Sequence, residues 1–264
     1  MSRPTREASA GIAQITGRIV AGVTTAGYLT LTHVETESLA GASDDLWSEF
    51  AEEWNDLPID RYMADGGRYR RRRYSRFLLD CSSGGLTQQP HAPYKQSLAV
   101  NPLNGGVERE FEACTHAFCH NPLLRRLLIG LGRAFKQAHG GNSWNIQLLA
   151  NRILASAEAA GKPAPEGRHR DGVTYVATLM INRFQVTGGC SVIYNNDGCK
   201  LAEVMLHERG QLMINDDRST LHSVTPVWPA EGFRDGYRDV LVMLFERAES
   251  PLCSRPAPTI AGPS

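Results

Sequence analysis

The sequence predicts a mainly β fold with flanking helices, and two observations lead there. Beyond Gly140 the chain runs through short stretches rich in Val, Ile, Leu, Thr and Tyr (145–155, 173–186, 190–197, 201–208, 210–216, 221–228 and 237–247), separated by turn formers such as Gly188-Gly189, Asn195-Asn196-Asp197-Gly198 and Asp216-Asp217. Before Gly140 two segments, 43–57 and 121–138, read as helices instead. Helices mainly first and strands mainly last argue for a helix-buttressed antiparallel sandwich or barrel rather than alternating β/α units.

In chain order, the first fifteen residues are short of large apolar side chains and are expected to be flexible. A helix is expected within 43–57, where Ser43 can cap, Asp44 and Asp45 suit the positive N-terminus, and Leu46, Trp47, Phe50, Ala51 and Trp54 share a face. Residues 68–77, RYRRRRYSRF, carry six arginines in ten positions. They read mostly as a solvated strand paired to the acids of 35–60, with one arginine free to bind a carboxylate over an active site. A second helix is expected over 121–138, with Asn121 as cap and Pro122 at the first helical position, although Gly130 and Gly132 weaken it. Residues 250–264, rich in Pro, Ser and Ala, are expected to be disordered. No internal repeat is present, so 16–249 reads as a single domain with its β core at about 140–247.

Bulk properties narrow the function. Lys+Arg and Asp+Glu both number 28, and a net charge of zero argues against nucleic-acid or anionic-membrane partners. No apolar run approaches the roughly 20 residues of a membrane-spanning helix. The N-terminus lacks a compact apolar segment with a cleavage site, so a cytoplasmic location is expected. Six cysteines without a CxxC pair or regular spacing predict reduced thiols and no cysteine zinc site.

The residues that carry chemistry lie in the β-rich half. In GRHRDG, His169 and Asp171 are two apart, and at strand spacing two such side chains point the same way. His222 follows some fifty residues later in STLHSVTP. Two imidazoles and a carboxylate on one face suit a non-haem iron(II) centre that keeps positions open for a cosubstrate and oxygen. Arg238 opens the last strand-like run, where a guanidinium fork can take a carboxylate in bidentate fashion. Each feature alone is weak, since any loop can hold HxD; the order of all four makes the case. A cupin-like binding protein without turnover stays open as a reading from another class.

The order HxD, histidine, arginine resembles the iron(II)/2-oxoglutarate-dependent dioxygenase superfamily. More narrowly, the blocks at 68–77, 101–111, 165–172, 214–227 and 236–247 resemble bacterial free amino-acid hydroxylases of the L-isoleucine 4-hydroxylase type. The resemblance implies a double-stranded β-helix (jelly-roll, cupin-like) core and the cofactors Fe(II), 2-oxoglutarate and O2. It implies His169, Asp171 and His222 as iron ligands and Arg238 as the anchor of the far 2-oxoglutarate carboxylate, with Arg234 as the alternative anchor. Val240 stands where many members have a serine that helps this arginine. The carboxylate at Asp171 favours hydroxylation over halogenation, while desaturation and cyclisation stay open.

The implied substrate is a small molecule, an amino acid or a close derivative, in natural-product biosynthesis. Asn151 is the candidate cosubstrate contact on the strand before HxD. Gln147, Arg152, Glu166 and Asp216 are the candidate substrate contacts, with Asn182 on the following strand a further one. Alternation places Gln147 and Asn151 on one face of the strand and Arg152 on the other. Glu166 and Asp216 flank the metal motifs and can either orient them or bind an amine. A homo-oligomer is compatible with all of this.

Overall fold

A computed structural model describes residues 6–96 and 105–248. The tail from Ser250 lies outside them. Five helices and twelve strands follow the chain: α1 (Arg6–Thr25), β1 (Tyr28–Leu31), α2 (His33–Ala40), α3 (Asp44–Glu52), β2 (Arg70–Asp80), β3 (Gly85–Gln88), α4 (His116–His120), α5 (Pro122–His139), β4 (Ser143–Ser156), β5 (Tyr175–Phe184), β6 (Val186–Gly188), β7 (Ser191–Asn195), β8 (Lys200–Val204), β9 (Leu212–Asp216), β10 (Thr220–Val224), β11 (Val227–Pro229) and β12 (Asp235–Arg247).

Local chemistry sets the two expected helices. The Ser43 hydroxyl accepts from the Leu46 N–H at the start of α3, whose Trp47 and Phe50 are buried. The Asn121 side chain accepts from the Leu123 N–H at the start of α5, Pro122 follows, and Gly140 ends the helix at φ 72°. Gly132, which weakened the sequence case for α5, is there for packing. A Cβ on it would lie 2.2 Å from Leu79 Cδ2, and its carbonyl accepts from Trp144 Nε1 at 3.1 Å. Residues 6–15 depart from expectation, because α1 begins at Arg6 and buries Ile15, Ile19 and Val23 at four-residue spacing. That stripe is one residue wide amid Ala, Gly and Thr, which is why periodicity misses it. Helix α1 packs on α5 and α2.

The strands form two layers, the double-stranded β-helix. A seven-stranded antiparallel sheet runs β1-β9-β5-β12-β4-β2-β3, and the facing layer consists of β10-β7-β8 and β11-β6. Alternation sorts the large sheet's side chains. Trp144, Ile146, Leu148 and Ala150 of β4, with Leu241, Met243 and Phe245 of β12, join the helices in the main core. The intervening Leu149, Asn151 and Ile153, with Arg238, Val240 and Val242, line a pocket between the layers. Among the described residues no helix is long and apolar enough to cross a membrane.

Candidate active site

His222 occupies the middle of β10, and His169 lies in the loop ahead of β5. Each donates its backbone N–H to the other's carbonyl at 2.9 Å, and the two rings stand with centroids 4.4 Å apart. This single bridge supplies the alignment that a regular strand through 169–171 was expected to give. Asp171 turns to the same point, its Oδ2 3.4 Å from His222 Nε2. One donor atom from each of the three lies within 4.8 Å of the other two. His169 Nδ1 is 2.9 Å from the Gly167 carbonyl. A proton donated there leaves the Nε2 lone pair for a metal.

Asp217 holds the loop in place. Its carboxylate accepts from the backbone N–H groups of Asp171 at 3.2 Å, Gly172 at 2.7 Å and Val173 at 3.2 Å. Burial and the neighbouring His169 pull the His222 imidazole down to about 3, so it is neutral at physiological pH. Burial also opposes charge on His169, but the Asp171 and Glu166 carboxylates outweigh it and raise this imidazole. Burial raises the Asp171 carboxyl. Two nitrogens and one oxygen brought together out of water suit a first-row divalent ion such as iron(II).

Arg238 is 2 % exposed and lines the same pocket, yet its Nε and Nη2 have no hydrogen-bond partner among the described residues. Burial and the nearby Arg183 pull its guanidinium down to about 10, still cationic at neutral pH. A buried cation without hydrogen bonds is costly unless a ligand pairs with it. A carboxylate of a chelating dicarboxylate fits that need. Arg234, the alternative, is exposed on the surface with Glu158 and does not line the pocket.

The other sequence-derived residues divide. Asn151 and Glu166 line the pocket. Arg152 does not: it points to the helix side of β4 and forms a two-pronged ion pair with Asp239 at 2.7 Å. Gln147 shares the Asn151 face but lies two pleats away, where its side-chain oxygen accepts from the Tyr74 hydroxyl. Asp216 is taken by Arg218, with Nε and Nη2 at 2.9 and 2.8 Å, and the positioning expected of it falls to Asp217. Asn182 is exposed and meets the Tyr237 hydroxyl. Arg70 and Arg72 are the arginines of the 68–77 block that line the pocket, and the sequence reading misses Arg109, which lines it as well; all three are buried.

Fold and site together define a 2-oxoglutarate- and iron(II)-dependent oxygenase. Residues 51–244 match the family model for the 2OG-Fe dioxygenase, and the chain belongs to that family, whose cofactors are Fe(II), 2-oxoglutarate and O2. Within it, the chain is 28% identical over 207 residues to the 3(1)-hydroxy-L-isoleucine 4-dioxygenase of Pantoea ananatis (strain AJ13355), covering 76% of this chain and 81% of the relative. It is 26% identical over 202 residues to the L-isoleucine-4-hydroxylase of Bacillus thuringiensis, covering 75% and 82%. The crystal structure of a bsmA homolog from Methylobium petroleophilum PM1 superposes with a TM-score of 0.82 at 29% identity, over 89% of this chain and 95% of that one.

Proposed function

We propose that this dioxygenase hydroxylates an unactivated C–H bond of a free L-amino acid or close derivative, in natural-product biosynthesis in the cytoplasm. The observation that carries the chemistry is the unpartnered Arg238 guanidinium, buried in the same pocket as the His169–Asp171–His222 cluster. The three cluster residues would hold iron, and Arg238 the far carboxylate of 2-oxoglutarate. Bound together, iron, 2-oxoglutarate and O2 supply the oxidant: one oxygen atom enters the substrate C–H bond, the other enters succinate, and CO2 leaves.

The protein's own contribution is placement and dryness. Asp217 fixes the metal loop, and Leu149, Val176, Val240 and Val242 exclude water and suit a carbon chain. Glu166 faces the pocket and is placed to accept from an ammonium group. The relatives named above support an aliphatic amino acid as substrate. The free thiols of Cys81, Cys114, Cys119, Cys190 and Cys199 support a reducing compartment.

The test is anaerobic purification followed by addition of Fe(II), 2-oxoglutarate, oxygen and a panel of L-amino acids, reading succinate and substrate mass together. Gain of one oxygen coupled to succinate is expected, and His169→Ala or Asp171→Ala should abolish it. Loss of two hydrogens would replace hydroxylation by desaturation or ring closure. Absence of any amino-acid-coupled succinate would overturn the reading.

A further inference from the structure

Near its end β5 changes face. Val176 and Thr178 line the pocket, and Met180 packs with Val240 and Met213 on the same side. Regular alternation would bring Asn182 there next and send Arg183 to the other face. The pairing with β12 decides otherwise. Val240 is opposite Met180, but Asp239 is opposite Asn182 and Arg238 opposite Arg183, so Ile181 is an extra residue in β5. A bulge of this kind exchanges the faces of the residues beyond it. Asn182 is turned outward to the Tyr237 hydroxyl. Arg183 shares the inward face of Arg238, with the two Cβ atoms about 5 Å apart at ordinary cross-strand spacing.

Both guanidiniums lie against the turn at Gly188-Gly189. Arg183 Nη2 donates to the Gly188 carbonyl at 2.8 Å, and a Cβ on Gly189 would stand 3.1 Å from Arg238 Nε. Like charges directly opposite each other on a sheet are destabilising. Neither arginine has a carboxylate partner among the described residues, and Arg183 Nη1, Arg238 Nε and Arg238 Nη2 are buried without a hydrogen bond. The adjacent Asp239 points the other way and is taken by Arg152. Val240, next on the inward face of β12, is apolar and donates nothing. Two cations held side by side with no acid between them leave charge for an anion to balance. One carboxylate placed at Arg238 lies within range of both, since Coulomb attraction falls only with the inverse of distance.

We infer that Arg183, brought inward by the bulge at Ile181, is a second cation for the far carboxylate of 2-oxoglutarate, acting from β5 while Arg238 makes the contact from β12. This rests on the reading of Arg238 above and deepens it. Arg183 is a positioning residue: it stays on the Gly188 carbonyl and contributes its charge across the strand pair. The repulsion between the two arginines is relieved when the carboxylate arrives, so the attraction is stronger than Arg238 alone would give. Asn182, one residue earlier, has no part in it.

The experiment is calorimetric titration of the Fe(II)-loaded enzyme under nitrogen with 2-oxoglutarate and, separately, with 2-oxopentanoate. The second ligand keeps the chelating end and carries a methyl in place of the far carboxylate. Arg183→Gln should raise the Kd for 2-oxoglutarate about tenfold, the effect of one nearby charge at a partly screened site. The Kd for 2-oxopentanoate should stay where it is, and Arg183→Lys should recover most of the loss. If Arg183→Gln weakens both ligands equally, Arg183 only supports the turn and the inference is wrong. It is equally wrong if 2-oxoglutarate binds the variant as it binds wild type. Should Arg183→Gln not fold, Arg183→Met takes its place, since it fills similar volume without a polar atom to bury unpaired. Arg238→Met separates the two levels. If it leaves 2-oxoglutarate affinity intact, the reading of Arg238 fails; if it weakens binding while Arg183→Gln does not, this inference alone fails.

Discussion

The Arg72 guanidinium donates from Nε to the Asn151 side-chain oxygen at 2.7 Å, joining directly paired positions of β2 and β4 beneath the pocket. The bond fixes where a long, otherwise mobile side chain presents its remaining donors. Asn151→Ala would remove the acceptor and leave a buried charged donor unsatisfied, a loss of about 1.5–3 kcal/mol. Denaturant unfolding should show that loss. An unchanged midpoint would mean that the bond contributes nothing to the fold.

Arg238→Met should raise the KM for 2-oxoglutarate by about a hundredfold, because truncating one side of a buried charge pair costs about 2–5 kcal/mol. Arg234→Met, on the surface with Glu158, should leave that KM where it is. Succinate formation over a 2-oxoglutarate titration checks both. A selective effect at Arg234 would reverse the assignment.

Asp217→Ala removes the acceptor for three backbone N–H groups around the HxD loop. Iron affinity should fall about 10- to 100-fold, as it does when groups that orient metal ligands are lost. Asp216→Ala should spare iron binding, since that carboxylate serves Arg218. Iron titration followed by coupled turnover separates the two.

The contrast between these neighbouring acids shows what the sequence could and could not tell. That His169, Asp171, His222 and Arg238 meet in one pocket was legible because ligand chemistry restricts residue type and the β topology restricts order. Arg152 was separable from Asn151 because β4 alternates cleanly, although its partner Asp239 was not visible. The stretch Leu212–Asp216 is buried on both faces, so it lacks the polar-apolar contrast that would reveal which acid turns to the metal loop. The four consecutive arginines of 70–73 hide their alternation in the same way. Arg70 and Arg72 face the pocket while Arg73 pairs outside with Asp56 and Glu112, a division set by partners distant in sequence. The solvated-strand reading, made for most of the six arginines, does not extend to Arg70 and Arg72.

Asp60 gives the arginine cluster a pH signature. Its side chain is fully buried and accepts from Arg70 Nε at 2.7 Å and from the Tyr62 N–H at 2.9 Å. Burial alone would raise its carboxyl, but the Arg72 and Arg70 charges outweigh burial and hold it below its ordinary value of 3.8. The folded state therefore favours the ionised carboxylate more than the unfolded chain does. Stability from this pair is complete above the ordinary value and is lost as pH falls through the lowered one. Asp60→Asn should thus destabilise the protein at pH 7 by about 3–5 kcal/mol, the cost of breaking a buried ion pair. The gap between variant and wild type should narrow below about pH 4 as the wild-type carboxyl takes up its proton. Urea unfolding of both proteins across that range measures it. A gap that stays constant into acid would show that the shape of Asp60, and not its charge, supports the arginines.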